Sequence, residues 1–254
     1  MRRTGRTIAS LMALGLLLSL APLLRAQDAP DNQPLTPNGI AILDYKTGKY
    51  KEALTAIDEA ESEKPGDPAT EILKARILTE LKDFDGAKKV LEGLNGNPAL
   101  TSEWKQAQTM AFGDMCLRHR RFDEATKFYE SLLAEKPNDP DIILNIVYAR
   151  VGASDLLEAQ WYASRLTPFD PKNPYDDHAS YYFAKAAIAQ ATGNAQEADD
   201  AIQSARTNYG ITIATRYLKT YLEVFPPSGK NPNLDMMPPP LLKPAPPTDK
   251  PATP

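Results

Sequence analysis

Five alanines, Ala53, Ala87, Ala125, Ala159 and Ala198, recur at spacings of 34, 38, 34 and 39 residues, each inside the same local pattern of apolar side chains. A near-constant period of this length is the signature of stacked copies of one supersecondary unit, each too small to bury its own apolar face and completed by its neighbours. Three residues before the alanine stand Tyr50, Phe84, Phe122, Leu156 and Ala195; four after it stand Ile57, Leu91, Tyr129, Ala163 and Ile202. Seven after it come Ala60, Leu94, Leu132, Leu166 and Ala205. The −3, 0, +4, +7 set lies on one face of a helix, so each copy contains a helix with a single buried stripe.

A second helix precedes it. Twelve residues before the alanine a small side chain stands in four copies, Ala41, Ala75, Gly113 and Ala186, with Val147 in the remaining one. Small residues on both helices let their backbones approach closely. Gly48 and Gly193 mark the turn between them, and Lys82, Arg120 and Ser154 hold the same place elsewhere. Twelve residues after the alanine, Pro65, Pro137 and Pro171 stop the second helix, whereas Ala99 and Gly210 stand there in the other copies. Thr36-Pro37, Asp67-Pro68 and Asp139-Pro140 each place an oxygen-bearing N-cap before a proline in the first helical turn, where its missing N–H costs nothing. The third copy opens instead near Thr101-Ser102-Glu103 and the fifth near Asp176-Asp177.

With these features in place, the chain resembles the tetratricopeptide repeat family, whose 34-residue helix-turn-helix carries small residues at the helix contact and a proline near its end. Gly48-Lys49-Tyr50-Lys51-Glu52-Ala53 with Pro65, and Arg121-Phe122-Asp123-Glu124-Ala125 with Pro137, carry the resemblance, which extends over about residues 35–212. It implies an all-α fold, a right-handed superhelical α-α solenoid of about five helical hairpins over residues 34–67, 68–101, 106–139, 140–173 and 179–212. Residues 211–225 keep helical spacing in Ile211, Ala214, Leu218, Tyr221, Leu222 and Phe225, and read as the capping helix that closes such an array.

The two ends differ in character from the repeats. Arg2, Arg3 and Arg6 precede an uncharged, mostly apolar run from Thr7 to Leu24, followed by Arg25-Ala26-Gln27-Asp28. This is the layout of a secretory signal peptide over residues 1–26, cleaved after Ala26, or of an anchor if it is retained. Either outcome delivers the repeats outside the cytoplasm, to the periplasm or cell envelope or by secretion. Residues 27–34 form a linker. From Pro226 onward eleven of the final 29 residues are proline, which predicts a disordered, polyproline-leaning tail over residues 226–254.

Charge narrows the partners. Loss of residues 1–26 lowers the basic count from 29 to 25 against 33 acids, so the mature chain is acidic and no nucleic-acid partner is expected. The single cysteine, Cys116, allows no internal disulfide. Cys116 and His119, three apart on a predicted helix, could sit near one metal or form a thiol-imidazole pair. Two ligands do not complete a site, and Cys116 falls on the packing side of its helix. No phosphate loop, zinc-protease helix or nucleophile elbow is present, so no catalytic residue, cofactor or metal is assigned.

Function then rests on surface. The resemblance implies that each first helix lines a concave groove, through Asn38, Ile42, Tyr45 and Lys46, then Ile72, Arg76, Thr79 and Glu80. Met110, Asp114, Leu117 and Arg118 follow, then Leu144, Asn145 and Tyr148, and last Phe183, Ala187 and Gln190. The mix of apolar anchors with amide and guanidinium donors suits an extended peptide or a partner helix, with Arg76, Asn145 and Tyr148 expected to contribute most. The family's carboxylate clamp of lysines and asparagines is interrupted here by Ile42 and Glu80 and is not carried over. The expected function is a non-catalytic protein-protein interaction scaffold in the cell envelope, binding another envelope protein or peptide. Two alternatives stand beside it. One is a metal-binding or enzymatic protein centred on Cys116 and His119. The other is a spacer whose tail binds, through Pro244-Ala245-Pro246-Pro247 or the Met236-Met237 and Leu241-Leu242 pairs.

Overall fold

A computed structural model describes residues 35–173 and 178–226. The segments 1–26 and 27–34, Asp176-Asp177 and the tail beyond Pro226 lie outside the described residues. Among those described, the chain forms ten α-helices and no strand: α1 (Pro37–Lys46), α2 (Tyr50–Glu63), α3 (Pro68–Glu80), α4 (Phe84–Gly93), α5 (Ser102–Arg118), α6 (Phe122–Glu135), α7 (Pro140–Gly152), α8 (Leu156–Ala163), α9 (Ser180–Ala191) and α10 (Ala195–Val224). None of these helices is long and apolar enough to cross a membrane. The helices are the hairpins that the period predicts.

Their starts follow the local chemistry of the sequence. Thr36 Oγ1 accepts from the Gly39 N–H at 3.2 Å, Asp67 Oδ2 from the Thr70 N–H at 3.2 Å, and Asp139 Oδ1 from the Asp141 and Ile142 N–H groups at 3.1 Å. Each satisfies donors that have no partner within the helix. Inside each hairpin the turn residue five before the repeated alanine takes a left-handed conformation: Gly48 at φ 78°, Lys82 at 65°, Arg120 at 61°, Ser154 at 64° and Gly193 at 79°. One backbone geometry thus recurs five times, three times on a residue that carries a Cβ and adopts it at a cost.

The repeated alanines are fully or almost fully buried, and so are the small residues facing them across each hairpin. At Gly113 the approach is too close for a side chain, since a Cβ there would lie 2.5 Å from Tyr129 Cε1. Val147 takes its place in the fourth hairpin with no exposure.

The described residues fall into two compact units, one ending at Ala111 and one beginning at Phe112, with α5 contributing to both. In the first, Ala41, Ala53, Ile57, Ala60, Leu73 and Ile77 form a continuous core between α1, α2 and α3. Lys74 of α3 reaches Asp58 at 2.8 Å and Glu61 at 2.5 Å on α2, tying one hairpin to the next. Gln108, buried on α5, donates to the Leu91 carbonyl at 2.6 Å and so fixes the following helix on α4.

In the second unit Phe112 and Phe128 stack at 5.1 Å, and the Tyr129 hydroxyl donates to Asp114 at 2.8 Å. Helix α10 is interrupted at Gly210, whose φ of 80° and ψ of 165° belong to no helix. Residues 195–209 complete the fifth hairpin, and residues 211–224 form a separate arm. This arm does more than close the last repeat: it reaches Arg118 on α5, Asp141 and Tyr148 on α7, and Phe183 on α9.

Candidate functional site

In each unit the candidate face is that of the first helices, α1 and α3 in one and α5, α7 and α9 in the other. In the first unit it stays accessible. Ile42 and Tyr45 pack one side against the core and leave the other open, Lys46 is exposed, and Asn38, Arg76 and Glu80 are half-buried. The Tyr45 hydroxyl lies 3.5 Å from Glu80 Oε1, linking α1 to α3, and its ring meets Tyr50 at 5.8 Å. Asn38 Oδ1 and Arg76 Nε are sheltered from water and have no hydrogen-bond partner among the described residues. An acceptor and a donor left unmatched on one face are costly unless a further group meets them. Ile72 and Thr79, expected here, are instead buried. Thr79 spends its hydroxyl on the Ala75 carbonyl at 2.8 Å, so both serve packing.

In the second unit the arm of α10 occupies the corresponding face. Tyr217 stacks on Phe183 at 5.5 Å, and Tyr221 meets Phe183 at 6.1 Å and Tyr148 at 6.4 Å. Phe225 meets the Tyr148 ring edge-on at 5.6 Å. The spacing 217, 221, 225 puts one aromatic per helical turn on the covered side. At the far end Glu223 Oε2 sits 2.7 Å from Arg118 Nη1, as an ion pair rather than an aligned hydrogen bond.

Near the start of the arm, Asp141 Oδ1 accepts from Tyr217 at 2.6 Å and Ser180 at 3.0 Å, with His178 Nδ1 at 3.5 Å. Burial alone would raise the Asp141 carboxyl, but the contacts with His178 and Tyr217 and the nearby Arg216 outweigh it and hold the carboxyl below its ordinary value. Burial and the Asp141 carboxylate push the Tyr217 hydroxyl the other way, up.

These contacts correct several expected groove residues. Leu117, Leu144, Tyr148, Phe183 and Ala187 are all buried, Tyr148 to 1% exposure, and none can meet a partner while the arm is seated. The Tyr148 hydroxyl has no partner among the described residues, and burial pushes it well up. Arg118 is held by Glu223 and Asp114 by Tyr129. Met110, Asn145 and Gln190 are half-buried.

Cys116 is buried, and among the described residues no group of three or more His, Cys, Asp or Glu side chains is placed to hold a metal ion. The pairing of Cys116 with His119 therefore finds no third ligand there.

One exposed patch escapes sequence reasoning. Leu157 and Trp161 on α8 are 80% and 57% exposed, with the Arg165 guanidinium 5.5 Å from the Trp161 ring. They stand two before and two after Ala159, off the buried stripe, where a polar residue is expected. An apolar residue at such a position is the available signal.

Comparison with known proteins agrees with this architecture. Residues 45–111 match the tetratricopeptide repeat family model. No curated protein matches the chain. Among solved structures, a tetratricopeptide repeat protein of Thermus thermophilus is 17% identical, with a TM-score of 0.54 over 73% of this chain and 97% of that one. Another from Parabacteroides merdae is 14% identical, with a TM-score of 0.52 over 72% of this chain and 68% of that one. At such identities the likeness speaks for the fold alone.

Proposed function

We propose that this chain, a tetratricopeptide-repeat protein, is a non-catalytic scaffold that binds a peptide or helix of another protein on the accessible face of α1 and α3. In the second unit the first-helix face holds an amphipathic helix through aromatic contacts and one ion pair. In the first unit the same face has no such helix on it among the described residues, and it retains the unmatched Asn38 Oδ1 and Arg76 Nε. Tyr45 and Ile42 supply apolar contact there, and Arg76, Glu80 and Lys46 supply charge, a combination suited to a helix or strand carrying both apolar and polar anchors.

The site of action in this proposal is the periplasm or cell envelope, supported by the arginine-led apolar run of residues 1–26. The partner is another envelope protein or peptide. Nucleic acid is not a partner, and no cofactor takes part. N-terminal sequencing of the chain from fractionated cells checks the location: a mature protein beginning at Gln27 outside the cytoplasm is expected, and an intact cytoplasmic chain overturns it.

The binding face is tested by capture of cross-linked partners on the purified mature chain. The Tyr45→Ala, Arg76→Ala double variant should weaken capture tenfold or more while keeping its helix content. Undiminished capture by a folded double variant would overturn the assignment.

A further inference from the structure

We infer that residues 211–225 are an exchangeable arm, and that the α5, α7 and α9 face is a docking surface for the same arm of a second copy of this chain. Gly210 joins the arm to the fifth hairpin. Its φ of 80° and ψ of 165° are open to glycine and strained for any residue with a Cβ, yet a Cβ built there would touch nothing within 4 Å. No atom beside residue 210 imposes the bend; it is a backbone state of one residue between two helical segments, held by the contacts of the arm beyond it. If residue 210 turns helical, residues 195–224 become a single helix about 45 Å long at 1.5 Å per residue. The arm then points away from the surface it now covers.

Release of the arm uncovers two matched surfaces. On the arm these are Tyr217, Leu218, Tyr221 and Val224; on the face they are Tyr148 and Phe183, all buried in the closed form. Neither can stay in water cheaply, so the arm must dock again. A second copy offers an identical face, with Arg118 for Glu223 and Asp141 for Tyr217. Contacts between copies would reproduce those within one, and only the association entropy and the conformation of residue 210 differ, the conditions under which domain exchange gives dimers. The inference does not depend on the reading of the α1 and α3 face.

The Arg118–Glu223 pair supplies the test, on the full mature chain. Arg118→Glu alone faces Glu223 with a like charge, and Glu223→Arg alone faces Arg118 with one. In an exchanged pair of the two variants, both contacts join opposite charges. Co-expressed, differently tagged variants should yield a 1:1 species of twice the single-chain mass by native mass spectrometry, whereas each alone remains at single-chain mass. Co-expression removes slow exchange as an obstacle. Gly210→Ala, which disfavours the bend and favours a continuous helix, should independently raise the dimer share tenfold or more over the unaltered chain at equal concentration. Single-chain mass for both the co-expressed pair and a folded Gly210→Ala chain overturns the inference.

Discussion

At Gly113 a single carbon atom separates a packed hairpin from a clash, because Tyr129 is fully buried and its hydroxyl is anchored on Asp114. The ring cannot swing aside without losing that bond. Gly113→Ala should cost about 1–3 kcal/mol in denaturant unfolding, and Ala125→Leu in the same hairpin a similar amount; unchanged midpoints in both would contradict the repeat register. The left-handed turn residues allow the opposite change. Ser154 holds φ 64° with a Cβ, a strain of about 1–2 kcal/mol set against the greater freedom glycine has when unfolded. Ser154→Gly should therefore raise the unfolding midpoint, by a net gain of about 0.5–1 kcal/mol. Tyr148→Phe removes a buried hydroxyl that has no partner among the described residues, so its thermal midpoint should hold or rise, and a marked fall would show that the hydroxyl is bonded.

At the scale of elements, the arm of α10 is secured through a titrating group. Asp141 is held below its ordinary value by His178, Tyr217 and Arg216 acting against burial. A depressed folded-state value means that this contribution is fully present above the ordinary carboxyl value of about 3.9 and is lost as pH falls through the folded-state value. The near-ultraviolet circular dichroism of the arm's tyrosines should fade in that acid window. Asp141→Asn should lower stability at neutral pH and lose that acid dependence; an unchanged acid profile in the variant would remove Asp141 from the account. The helices themselves were legible in the sequence, because N-caps, prolines and the −3, 0, +4, +7 stripe are local signals that Thr36, Asp67, Asp139 and the alanines satisfy in place. The bend at Gly210 was legible only as a departure: glycine stands where three other copies have proline, and the reason lies in contacts with α7 and α9 far back in the chain.

At the scale of the whole molecule, periodicity reveals packing and is silent on occupancy. Positions such as Tyr148 and Phe183 carry the residue types of a binding surface, and their spacing from Ala159 and Ala198 is right for one. They are buried because an aromatic arm that follows them by dozens of residues settles on them, and no local pattern encodes that. Arg76 stands eleven residues before its repeat alanine, as Tyr148 does, and Tyr45 lies on the first-helix face of α1; both are without such a cover among the described residues, which makes them the residues on which the proposed function rests. The most direct test is a photo-crosslinking amino acid placed in living cells at position 45, 76 or 148 of the full chain. Adducts with a different protein are expected from positions 45 and 76, and from position 148 only adducts with this chain's own arm, within or between copies; adducts with a different protein from 148 with silence at 45 and 76 would contradict the assignment.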